Sequence, residues 1–137
     1  MCGVVYADGV LSYSMRQGDQ RAPDIDLRDF TYDGRIADHY LSGGLGQLTD
    51  GVEGHSNLRL DPDGWGRNGY EWVGWRNDSR RRLPTVAATE SGGGESVTIV
   101  FEFERARRFT ALRLHCNNMF TRGVRVFRRA VVTAGRC

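Results

Sequence analysis

Apolar positions in this chain recur with a period of two. Val97, Ile99, Phe101 and Phe103 share one side of a run whose other side holds Thr98, Val100 and Glu102, as a half-buried strand requires. Ala111 to Cys116 alternates too, with Leu112, Leu114 and Cys116 on one side. Val124 to Phe127 is a shorter version. Tyr70 to Trp75 predicts an aromatic strand, with Glu71, Val73 and Trp75 opposite Tyr70, Trp72 and Gly74. No window carries a helical period. Between the runs stand Asp8-Gly9, Asp33-Gly34, Asp50-Gly51, Asp63-Gly64 and Asn68-Gly69, dipeptides that supply the positive φ of tight β connections. Many short strands with frequent turns predict an all-β fold, an antiparallel jelly-roll-like β-sandwich. Residues 16–28 and 77–96 show neither period. The second stretch holds three consecutive Arg, a Pro and Ser91-Gly92-Gly93-Gly94, and reads as a long surface loop.

A length of 137 residues, 39% of them hydrophobic, suits one domain with a real core. No apolar run approaches the roughly 18 residues that cross a bilayer. Met1 to Ser14 lacks the basic start and apolar stretch of a signal peptide. The net charge of +2 hides an asymmetry. From Arg105 to Cys137 there are nine Arg and no acid, and every basic residue in the chain is Arg. Such a segment can mark a nucleic-acid or glycosaminoglycan surface. Interleaving with the acidic first half is the plainer reading, so no nucleic-acid partner is expected. Three Cys allow at most one pairing within the chain. Cys2 and Cys137 stand at the two ends, where disulfide partners would lie on sequence outside this chain. Cys116 sits among apolar residues and reads as a buried thiol.

The residues offer little catalytic chemistry. His115, Cys116 and Asn117 are the residue types of a thiol protease, but neighbours in a strand point to opposite faces, so His115 cannot activate Cys116. His39, His55 and His115 show no zinc spacing with the three Cys. Gly43-Gly44-Leu45-Gly46 lacks the Lys-Ser/Thr tail of a phosphate loop. Trp72 reads as core, and Phe30, Tyr32 and Tyr40 as packing residues. Asn77-Asp78-Ser79 is an N-glycosylation sequon at the start of the long loop. The best site is Gln47 to Val52. A tight turn at Gly51 can aim the Asp50 carboxylate, a Gln47 oxygen and the Val52 carbonyl inward, and such hard donors suit Ca²⁺. A plain hairpin turn without an ion is the alternative.

Three islands carry a resemblance: Leu45-Gly46-Gln47-Leu48-Thr49-Asp50-Gly51-Val52, Tyr70-Glu71-Trp72-Val73-Gly74-Trp75 and His115-Cys116-Asn117-Asn118-Met119. Together with Asp8 to Tyr13 and Thr31-Tyr32-Asp33-Gly34, they resemble the discoidin domain receptors, collagen-binding receptor tyrosine kinases. The likeness is to their discoidin-like β-sandwich and runs from about Asp8 to about Phe127. It implies that residues 1–7 end a preceding discoidin domain and that 8–137 form a discoidin-like (galactose-binding-type) sandwich, truncated at its C-terminus. It also implies a calcium ion held by Gln47, Asp50 and Val52, and a glycan on Asn77. A further family carboxylate lies beyond the last residue here, so weak or absent calcium binding is expected. The implied role is a non-catalytic scaffold and regulatory module on the extracellular side of the plasma membrane. Collagen would be gripped by the adjacent discoidin domain of a receptor homodimer, and the membrane crossed by a helix outside this chain. A stand-alone calcium-dependent carbohydrate-binding module is the alternative; it would need exposed aromatics and a complete ion site.

Overall fold

The computed structural model describes residues 2–4, 9–17, 28–55, 71–75, 97–117, 126–127 and 129–135. They form six strands: β1 (Cys2–Val4), β2 (Val10–Arg16), β3 (Arg35–Ala37), β4 (Tyr40–Gly44), β5 (Ile99–Phe103) and β6 (Leu114–Cys116). The fold is all-β. β1 and β6 make a two-stranded sheet, and the other four run β3-β4-β2-β5 in a second sheet. Every pairing is antiparallel. Among the described residues, no helix is long and apolar enough to cross a membrane.

β2 is one of the two inner strands of the larger sheet, and its pattern explains why. Tyr13 and Met15 are buried while Leu11 faces solvent. The inward residues join Tyr32, Leu41, Leu48 and Val73 in one cluster, with Trp75, Ile99 and Phe101 packed against it. The expected alternation holds in β5, where Ile99, Phe101 and Phe103 are half-buried and Val100 and Glu102 exposed. Tyr13 meets two rings of this core. Its centroid lies 5.0 Å from that of Tyr32, edge to face, and 5.8 Å from that of Phe101, separations at which aromatic pairs attract.

The β2–β4 ladder shifts register between Tyr13 and Met15. A bulge leaves backbone groups to be satisfied some other way. The Tyr32 hydroxyl does so: it donates to the Tyr13 carbonyl at 2.5 Å and accepts from the Gly44 N–H at 2.8 Å. β3 and β4 join through Asp38 and His39, both at positive φ (49° and 62°), as a two-residue hairpin requires. Neither is Gly, so the alternating pattern alone did not reveal this hairpin. Of the expected turn glycines, Gly9 and Gly51 have positive φ. Gly34 is needed instead for close approach, since a Cβ there would stand 2.6 Å from the Gly44 nitrogen.

Three differences from the sequence reading have simple causes. Tyr70 to Trp75 is not a regular strand; among its described residues only Val73 makes a bridge. Both Trp72 and Val73 are buried, which a one-faced strand cannot do. Tyr40 is exposed although β4 is paired on both sides, because it stands at the end of its strand, directly after the hairpin. Cys116 is half-buried, as is His115. The Asp63-Gly64 and Asn68-Gly69 turns and the whole 77–96 loop lie outside the described residues.

Leu41→Ala, which hollows the cluster, should cost about 2–5 kcal/mol of unfolding free energy. Val100→Ala, on the outer face of β5, should stay within about 0.5 kcal/mol. Urea denaturation with an unchanged m-value would measure both.

Candidate functional site

Residues 46–55 form a loop whose two ends are anchored and whose middle is exposed. The first anchor begins at Asp29, a carboxylate buried at the level of the core. Burial of a charge demands donors, and several converge. The Tyr13 hydroxyl donates to Asp29 Oδ2. The Gln47 N–H reaches both oxygens, at 3.2 and 3.1 Å. The Thr31 N–H and hydroxyl reach Oδ1 at 3.1 and 3.3 Å, a local turn typical of Asp. Gln47, itself buried, returns the contact: its Oε1 accepts from the Phe30 N–H at 2.6 Å. The 29–31 segment and Gln47 are thus stitched reciprocally. A Cβ on Gly46 would stand 2.5 and 2.6 Å from the Asp29 oxygens and 2.7 Å from the Tyr13 hydroxyl, so only Gly fits there.

The turn then closes on itself. The Thr49 N–H and hydroxyl both donate to the Gly46 carbonyl at 2.9 Å, and Leu48 drops into the core. Asp50 follows at the surface, where its Oδ1 accepts from the Val52 N–H at 2.9 Å. Gly51 takes φ +80°, and residues 50 to 53 are exposed. The second anchor is at Gly54 and His55. Trp72 Nε1 donates to the His55 carbonyl at 3.2 Å, and Gly54 lies directly under the Trp72 ring. His115 stacks on Trp72 with 4.9 Å between centroids, and its Nε2 lies 3.0 Å from the Gly54 carbonyl.

The expected ligands therefore share one turn but not one environment. Gln47 is turned inward, Asp50 is at the surface, and Val52 bonds to Asp50 through its N–H. Asp29 links the first two: it accepts from Gln47 and feels the charge of Asp50. The Asp29 carboxyl is pushed above its ordinary value of 3.8, chiefly by burial and further by Asp50, against the donors from Gln47 and Thr31. Asp50 is raised as well, because its carboxyl is partly dehydrated against the turn, although the Val52 N–H opposes the shift. Asp29, Tyr13 and the Trp72–His115 stack had no role in the sequence reading. The short Asx-type spacing of Asp29 and Thr31 was the one local signal. His115 is committed to Trp72 and Gly54, and Trp75 Nε1 to the Arg16 carbonyl at 2.7 Å. Trp72 is buried, as read, so it is no exposed platform for a sugar. Asn77, Cys137 and the side chain of Cys2 lie outside the described residues.

Carboxyls raised in the folded state favour its protonated form. Their contribution to stability is whole below 3.8 and is lost as pH climbs through the raised values. Thermal melts in chelator should therefore show this loss as pH rises, and Asp29→Asn should flatten it. A wild-type slope unchanged in the variant would contradict the assignment to Asp29.

The comparisons with known proteins fit this geometry. A model of the discoidin domain-containing receptor 1/2 DS-like domain matches residues 9–136. The chain is 40% identical over 126 residues to epithelial discoidin domain-containing receptor 1 of Rattus norvegicus, covering 90% of this chain and 12% of that protein. Identity to the Homo sapiens receptor is 39% over 126 residues, with the same coverage. Discoidin domain-containing receptor tyrosine kinase B of Caenorhabditis elegans is 31% identical over 131 residues, 95% of this chain and 14% of that protein. The chain thus spans about an eighth of the length of the curated relatives it matches. The matched region is the extracellular DS-like domain, not a kinase domain. With its strands and the doubly anchored turn read together with these matches, the chain belongs to the DS-like domain family of the discoidin domain-containing receptors.

Proposed function

We propose that this chain is a non-catalytic scaffold and regulatory module of a collagen-activated receptor tyrosine kinase. It works on the extracellular side of the plasma membrane, beside a collagen-binding discoidin domain, and holds the geometry of a receptor homodimer. The observation that carries this reading is the family match over residues 9–136. The buried polar residues at the first anchor of the turn support it: Asp29 and Gln47 bond to the protein itself, as suits a scaffold. Replacement of the corresponding module of the Homo sapiens receptor by this chain should leave collagen-stimulated tyrosine phosphorylation intact in cells. A chimera that reaches the surface but no longer responds to collagen would refute the reading.

A calcium ion belongs to the same proposal, with Gln47, Asp50 and Val52 as its ligands, and Asn77 as a glycan site. The donors fit a hard cation in kind, since they are all oxygens. Gln47 is buried, and its Oε1 accepts from the Phe30 N–H. They fit poorly in number. Among the described residues, no three His, Cys, Asp or Glu cluster to hold a metal, so the turn offers one carboxylate, one amide oxygen and a carbonyl. Calorimetry with CaCl₂ should give a dissociation constant no tighter than about 10⁻⁴–10⁻³ M, the range of extracellular modules. Micromolar affinity would overturn the incomplete-site reading.

A further inference from the structure

We propose that the exposed arginines of residues 105–113 are a docking surface for a sulfated glycosaminoglycan chain.

This segment joins β5 to β6 and is pinned along its length. It leaves β5 at Phe103, and the Glu104 N–H donates to the Gly9 carbonyl at 3.3 Å. The Phe109 ring packs on that of Phe103, with 5.0 Å between centroids. At Leu114 the chain enters β6, which is paired with β1. Between β5 and β6 every residue from Glu104 to Arg113 is exposed. Arg105, Arg107, Arg108 and Arg113 stand in it, and no acid follows Glu104. The acidic first half of the sequence is the obvious counterweight to these charges. The fold does not bring it to them: among the described residues, Arg105, Arg108 and Arg113 make no ion pair. Arg107 is engaged, its guanidinium lying over Gly9. The other three hold their charge in water on a segment whose course is fixed.

Their chemistry and layout select the partner. A guanidinium meets an oxyanion with two N–H donors at once and stays charged at every physiological pH, so sulfate and carboxylate groups suit it. A single exposed ion pair contributes little in water, and a lone anion would gain little here. The arginines are instead strung along the chain, at most about 28 Å from Arg105 to Arg113. A linear polyanion that reaches several of them together turns weak contacts into affinity. Outside the cell, where the proposed role puts this chain, polyanions of that shape are sulfated sugar chains. The class of polyanion rests on that role; the surface itself does not.

Binding of the full 137-residue chain to immobilised heparin, read by surface plasmon resonance, tests this. Affinity should fall as NaCl is raised, because exposed charges are screened. Arg105→Gln, Arg108→Gln and Arg113→Gln should each weaken binding about 2- to 5-fold, and the triple variant about 10- to 100-fold. Arg35→Gln is the control. It removes the same charge from an exposed position on β3, at the opposite edge of the larger sheet from β5, and should leave the affinity unchanged. All of these variants should melt as wild type does, since exposed substitutions barely move stability. No binding to heparin at about 0.1 M salt, or a loss in Arg35→Gln as large as in the segment variants, overturns the inference. Equally tight binding to duplex DNA or to phosphatidylserine vesicles through the same arginines overturns it too, because the surface would then not be selective for the sulfated chain. None of these results touches the collagen response of the chimera, so the scaffold reading stands or falls separately.

Discussion

Burying a carboxylate costs several kcal/mol unless donors replace the lost water, and the placement of residues 46–55 depends on Asp29 meeting that condition. Its donors come from three places in the sequence. Tyr13 lies on the inner strand β2, Thr31 two residues beyond Asp29, and Gln47 at the head of the turn. None of the three would be in place unless the strand, the 29–33 segment and the turn were already together. Conversely, an Asp29 left without them would be an unpaired buried charge. The network therefore acts as a check on correct assembly: it is satisfied only in one arrangement of the chain.

The neighbouring Tyr32 works on the same principle from the other side. Its hydroxyl bridges the Tyr13 carbonyl and the Gly44 N–H where the β2–β4 register shifts. Without the bulge, those two groups could bond directly and the 29–33 segment would have no seat in the ladder. With it, the tyrosine is drawn in, and Asp33 follows. Its carboxylate accepts from the Leu45 N–H at 2.7 Å, and its own N–H donates to the Leu45 carbonyl at 3.0 Å. An irregularity in the sheet thus positions the segment that carries Asp29.

Period-two alternation made β5 legible because one face of that strand is in the core and the other in water. It failed at Trp72 and Val73 because those neighbours bury opposite sides, one against His115 and one in the main cluster. A pattern that assumes one wet face cannot see a segment with none. The β3–β4 hairpin was missed for a different reason. Asp38 and His39 take positive φ without Gly, and the turn signal sought was Asp-Gly. For the turn itself, Gln47, Asp50 and Val52 were legible as oxygen donors around a Gly. Asp29 was not, since it stands 18 residues before Gln47 and nothing in a sequence reports that two such residues will share a hydrogen bond. Long-range satisfaction of a buried charge is settled by the assembled fold, not by local pattern.

The two anchors of the turn belong to different sheets. Gln47 and Leu48 fasten it to the larger sheet through Tyr13 and the core. Gly54 is fastened to the smaller one through His115 on β6. Asp50 to Glu53 span the interval between these attachments. They are held in place only while both attachments stand, so the turn ties the larger sheet to the smaller one, and loosening either anchor loosens that tie.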